Sequence, residues 1–152
     1  MPRHTQHLDA DYVKSMMRRL AAIPDDVQSP CTKGELIAHW VWFLRHAMGK
    51  STQVPFYGGF WSRRVVRSLV MAGLLPPPRC VRLPARLAAQ GIQTREPGDL
   101  ETLHALLEDY LNLVQADALA PAWHPWLGDI GVDGWDRVLL ADFERHLQTF
   151  CV

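Results

Sequence analysis

The stretch WDRVLLADFERHLQTF, residues 135–150, carries an acid and an imidazole four residues apart beside an apolar helical stripe. Residues i and i+4 of a helix project from the same side of adjacent turns, so Asp142 and His146 can converge on one point. An ionised carboxylate is costly to bury without a partner. We therefore expect Asp142 to face a metal ion, a protonated His146 or an arginine.

A second imidazole, His39, lies on the apolar face of the helix predicted from LIAHWVWFLRHA. His46 lies about 10 Å further along that helix, too far for both rings to bind one ion. If the two helices face each other, His39, Asp142 and His146 form a set that suits Zn²⁺, Fe²⁺, Ni²⁺ or Mn²⁺ and leaves coordination positions open. The alternative is that Asp142 and His146 bond each other and that His39 bonds a backbone carbonyl.

Three further residues are candidates for the rim of a pocket at this site: His124 in WHPW, Tyr57 in YGG, and Trp135. His124 has an alternative interpretation as a turn residue that packs against Pro125. No residue is assigned a catalytic role, because the sequence has no GxGxxG, P-loop, HExxH or nucleophile-elbow pattern.

The composition indicates a single globular domain, residues 1–152, in which nearly half of the side chains are apolar. The N-terminus lacks the apolar stretch of a secretory signal, and the longest apolar run is too short to cross a bilayer. Three widely spaced cysteines form neither a disulfide framework nor a CxxC metal site. We expect a cytoplasmic protein with no membrane partner.

Charge is unevenly distributed, although the net charge is zero. Residues 49–98 hold eight basic residues against Glu96 alone, a net charge of +7, and the remainder carries −7. Either the two parts pack together with complementary fields, or the basic part binds an anionic group. We expect no nucleic-acid partner, because the arginines are not interleaved with a stacking platform.

Four helices are predicted. The first spans about residues 9–23, and the second spans residues 33–48, begins with a capping box of Thr32 and Glu35 and ends at Gly49. The third is capped by Asp99, and the fourth runs from about Asp133 to residue 150. A long crossover between the second and third holds a short amphipathic helix, FWSRRVVRSLVMAG, and a proline-rich connector. No alternating strand pattern stands out. The sequence therefore predicts an all-α four-helix bundle.

The segments CTKGELIAHWVWFLRHAMGK, WHPWLG and WDRVLLADFERHLQTF together resemble the DinB-like (YfiT-like) superfamily over nearly the whole chain. The resemblance is greatest to a small branch with a His-Pro-aromatic-x-Gly turn before the last helix. It implies a four-helix bundle, often a homodimer, that binds a divalent metal such as Zn, Ni or Fe through His39 and His146. Asp142 stands where the family has the first histidine of a His-x-x-x-His pair.

The resemblance also implies an activity on a small molecule, either metal-dependent hydrolysis or the transfer of a low-molecular-weight thiol. The departure at Asp142 leaves a second interpretation open. In that interpretation the metal site is degenerate, and the chain is a non-catalytic bundle that binds a small ligand or a protein.

Overall fold

A computed structural model describes residues 8–29, 31–51, 54–77 and 83–150. The all-α class is confirmed. The helices are α1 (Ala10–Ala22), α2 (Lys33–Ala47), α3 (Arg67–Met71), α4 (Ala85–Ala88), α5 (Leu100–Gln115) and α6 (Gly131–Thr149), with a π-helical run, Ser62–Val66, leading into α3. Arg79, Cys80, Arg82 and Cys151 lie outside the described residues.

The start of α2 is fixed by the predicted capping box. The Thr32 Oγ1 accepts a hydrogen bond from Glu35 N at 3.1 Å, and Thr32 N donates to Glu35 Oε2 at 2.8 Å. These two bonds satisfy backbone groups that a helix N-terminus leaves without partners. Two two-residue strands, Gln28–Ser29 and Cys31–Thr32, pair antiparallel just before the helix. This short pair was not predicted, since two residues are too few to show alternation.

The start of α6 differs from the prediction. Asp133 was expected as the N-cap, but the helix begins at Gly131, and Asp133 lies in its first turn. The Asp129 Oδ1 accepts from Gly131 N at 3.2 Å. Two acids stand near this start, and their spacing alone does not show which one bonds the first turn. At α5 the prediction is confirmed, because Asp99 caps that helix through Thr102 N.

The centre of the molecule is α2, which is buried on nearly all sides. Its buried side chains include both Trp40 and Trp42, at 0% and 1% exposure. A helix that is apolar on all sides must be covered on all sides. The crossover covers the side of α2 that carries Trp42, which lines a cleft with residues 90–93. Helices α1 and α5 contact each other, and α5 also contacts α2.

The crossover is held against the turn that precedes α6. Tyr57 N donates to the Pro125 carbonyl at 2.8 Å, and Arg67 donates to the Asp129 carbonyl at 2.9 Å. Gly58 lies so close to the Trp126 carbonyl that a Cβ there would stand 2.0 Å from its oxygen. The predicted short helix ends at Gly73, whose φ is +73°. None of the helices in the described ranges combines the length and apolarity that a bilayer crossing requires.

Candidate metal centre

Two helices bring His39, Asp142 and His146 to one place. His39 comes from the middle of α2, and the other two come from successive turns of α6. One nitrogen or oxygen from each side chain lies within 4.8 Å of the others. The side chains of His39 and His146 keep 14% and 23% of their surface exposed, whereas that of Asp142 keeps 4%. The group is therefore buried at the carboxylate and reaches solvent at the two imidazoles.

Three nitrogen atoms surround a single oxygen of Asp142. The Trp40 Nε1–H donates to Oδ2 at 3.0 Å. The His39 Nε2 lies 3.4 Å from the same oxygen, and the His146 Nδ1 lies 3.3 Å from it. Burial by itself raises the pKa of the Asp142 carboxyl, but hydrogen-bonding and charge interactions with His146 and His39 hold that pKa below its ordinary value of 3.8. Asp142 is therefore a buried carboxylate anion at neutral pH.

Backbone carbonyls orient both imidazole rings. The His39 Nδ1 lies 3.3 Å from the Thr94 carbonyl oxygen, and the His146 Nδ1 lies 2.8 Å from the Asp142 carbonyl oxygen. Because a carbonyl oxygen can only accept, the neutral tautomer that satisfies these contacts is the one with the proton on Nδ1 in both rings. In the neutral tautomer this leaves a lone pair on each Nε2, the usual arrangement for histidines that bind metal ions.

In the neutral tautomer with the proton on Nδ1, the free Nε2 of His39 faces the Asp142 Oδ2; in the protonated ring, Nε2–H donates toward that oxygen. The His39 Nε2 and the Asp142 Oδ2 are 3.4 Å apart, whereas a charge-assisted N–H···O bond is about 2.7–2.9 Å long. Ligand atoms of a tetrahedral zinc site, with bonds of about 2.0–2.1 Å, stand about 3.3 Å from each other. The spacing of this pair is therefore compatible with two ligands of one divalent cation, and it is also within reach of a long hydrogen bond from a protonated His39.

Asp142 is the main electrostatic neighbour of the His146 imidazole. Burial lowers the pKa of this imidazole, but the hydrogen bond and the charge of the Asp142 side chain outweigh burial and raise it. A proton would therefore compete with any metal ion that His146 binds. This competition predicts weaker metal binding as the pH falls.

The three candidate rim residues lie in different surroundings. Trp135 and His124 are buried, at 0% and 1% exposure, and their rings contact each other and Phe43. They belong to an aromatic cluster that reaches the centre through the Phe43–His39 contact, and neither borders solvent. His124 Nδ1 accepts from Trp126 N and Leu127 N, which is the turn role left open as its alternative. Tyr57 is half-buried in the crossover, with its backbone bonded to Pro125.

Two groups that shape the centre were not identified from the sequence. The Trp40 indole donates to the carboxylate, and the Thr94 carbonyl orients His39. The position of Trp40 next to His39 gave a weak signal for the first, since its ring also lies on the inner side of α2. No sequence signal marks the second, because any residue type supplies a carbonyl.

Comparisons of this chain with protein-family models, curated proteins and solved structures found no match.

Proposed function

We propose that this chain is a divalent-metal-binding protein of the DinB-like type, with His39, Asp142 and His146 as the ligands. The observation that supports this most directly is the convergence of the three side chains, each of which offers a ligand atom within 4.8 Å of the others. The packing of α1, α2, α5 and α6 is compatible with the four-helix bundle that this family has. Zinc, nickel or iron(II) suits a donor set of two imidazoles and one carboxylate.

The activity we propose is hydrolysis of a small molecule or transfer of a low-molecular-weight thiol to one. A divalent cation at these ligands would lower the pKa of a water or a thiol beside it, so that a nucleophile forms near neutral pH. Other groups of the chain position the side chains of the proposed ligands. Trp40 and the Thr94 carbonyl hold the Asp142 and His39 side chains, and the partly exposed His146 marks the side that a substrate approaches.

The experiment is metal analysis of protein purified without chelator, followed by titration of metal-free protein with Zn²⁺, Ni²⁺ or Fe²⁺. We expect about one ion per chain, lost in His39→Ala and Asp142→Asn. The matched controls are His104→Ala on α5 and Asp133→Asn on α6, two exposed positions, and both variants should keep the ion. If the folded wild type takes up none of the three cations, the proposal is wrong.

A second candidate is a non-catalytic bundle in which Asp142 and His146 form a buried ion pair. The nitrogen atoms around Oδ2 favour it, because the Trp40 donor and a protonated His146 together satisfy that oxygen without a metal. In this case Asp142→Asn alters the pH dependence of stability, and neither wild type nor variant binds metal. The same titration, combined with thermal unfolding across pH, separates the two candidates.

A further inference from the structure

The outer surface of the crossover helix carries large apolar side chains together with arginines. Phe60 and Trp61 are 67% and 70% exposed, Leu74 is 72% exposed, and Val65 and Leu75 are also exposed. Arg63 and Arg64 are exposed between them. Together these residues form the aromatic–arginine face: Phe60, Trp61, Arg63, Arg64, Val65, Leu74 and Leu75. The Phe60 and Trp61 rings contact each other, with centroids 6.3 Å apart, and exposed apolar groups that cluster in this way mark a site of interaction.

The helix that presents this face is fixed to the body of the protein. The stem of Arg63 passes beside Gly128, in the turn that precedes α6. Arg67 donates to the Asp129 carbonyl, and Arg137 of α6 donates to the Met71 carbonyl. The outer side is thus held in place without being covered by the described parts of the chain.

Charge identifies the kind of partner. From Lys50 to Arg95 the sequence has eight basic residues and no acidic residue. Within the described ranges, neither Arg63 nor Arg64 forms an ion pair. A two-fold dimer through this face would bring the same patch onto itself, and arginines would then meet arginines with no acid from the segment between them. The partner must therefore offer negative charge and an apolar layer together.

We propose that the aromatic–arginine face binds the surface of an anionic phospholipid bilayer. Tryptophan and phenylalanine are suited to the boundary between headgroups and acyl chains, where a helix lies in the membrane plane. The planar guanidinium group bonds phosphate bidentately, so Arg63 and Arg64 match the headgroups. This proposal departs from the sequence-based expectation of no membrane partner, which rested on the lack of a segment long enough to span a bilayer. The proposal does not depend on the metal centre.

The test is co-sedimentation of the full chain with vesicles of equal parts phosphatidylglycerol and phosphatidylcholine, and with vesicles of phosphatidylcholine alone. We expect binding to the first only, weakened at high salt. The double variant Arg63→Gln/Arg64→Gln should lose about fivefold in binding per arginine, or about thirtyfold in total. Phe60→Ser/Trp61→Ser should lose about tenfold or more, because both side chains are exposed and their insertion is removed.

Matched controls remove similar groups elsewhere. Lys14→Gln/Arg18→Gln takes two exposed cations from α1, and Trp123→Ser takes an exposed aromatic ring from outside the helix. Both should bind like wild type. Equal binding to both kinds of vesicle, or equal loss in controls and test variants, overturns the proposal. So does a concentration-dependent self-association, seen by sedimentation velocity, that the two test variants abolish, because the face is then covered by a second copy.

Discussion

The buried histidine His124 predicts a specific sensitivity to acid. Its Nδ1 accepts two backbone N–H groups of the turn, at 3.2 and 3.1 Å, and its side chain is almost fully buried. Burial lowers the pKa of His124 from an ordinary value of 6.5 to about 3, and His46 nearby adds to that decrease. The fold therefore holds this imidazole neutral. Replacement by asparagine keeps an acceptor for both N–H groups and removes the titrating ring.

Proton linkage gives the sign and the size of the change in stability with pH. The unfolded chain takes up a proton at His124 below pH 6.5, and the folded protein does so only near pH 3. The stability due to this group is thus fully present above pH 6.5 and is lost as the pH falls toward 3. Between pH 7 and pH 5 the loss amounts to about 2 kcal/mol. His124→Asn should be free of this loss, although a smaller side chain lowers its stability at pH 7.

The assay is urea unfolding of wild type and His124→Asn at pH 7, 6 and 5, followed by far-UV circular dichroism. The quantity compared is the difference in unfolding free energy between pH 7 and pH 5 for each protein. The exposed His104→Asn serves as the control and should behave like wild type. If wild type and His124→Asn show the same decrease, the neutral, buried state of His124 is refuted.

Two further substitutions test other contacts. Gly58→Ala places a Cβ 2.0 Å from the Trp126 carbonyl oxygen and should destabilise the protein by about 3 kcal/mol or more in urea unfolding. Gly59→Ala meets no atom within 4 Å and should leave stability within about 0.5 kcal/mol of wild type, and equal effects would contradict the close approach. Trp40→Phe removes the donor to Asp142 and should weaken Zn²⁺ binding about 10–100-fold by calorimetry; unchanged affinity would show that the indole does not support the ligand.

The parts of the fold that follow from short-range chemistry could be predicted. The Thr32–Glu35 capping box and the Asp99 cap each depend on residues three positions apart, so the sequence displays them directly. The π-helical run at Ser62–Val66 and the short helix α4 could not be predicted, because no residue pattern distinguishes them from an ordinary turn of helix. They depend on how the crossover meets the rest of the molecule.

The candidate centre was predictable in its residue types and only partly in its surroundings. Helical spacing placed Asp142 and His146 together, and the structure shows the third member, His39, beside them. The bonds that orient these side chains come from Trp40 and from the carbonyl of Thr94, in elements far apart in the sequence. Spacing along one helix carries no information about such contacts, because they depend on how the elements pack.

The wide separation of the three candidate ligands along the chain has a consequence for translation of the protein. Trp40 and Asp142, which meet at the centre, are 102 residues apart, so a loop of that length closes before any of the three ligands meets another across the two helices. A polypeptide translated only as far as α5 has the imidazole of His39 but neither group from α6. Cation uptake at the proposed site would then report that translation had passed α6 and that both helices had docked, and metal content would serve as a readout of correctly assembled protein in a preparation.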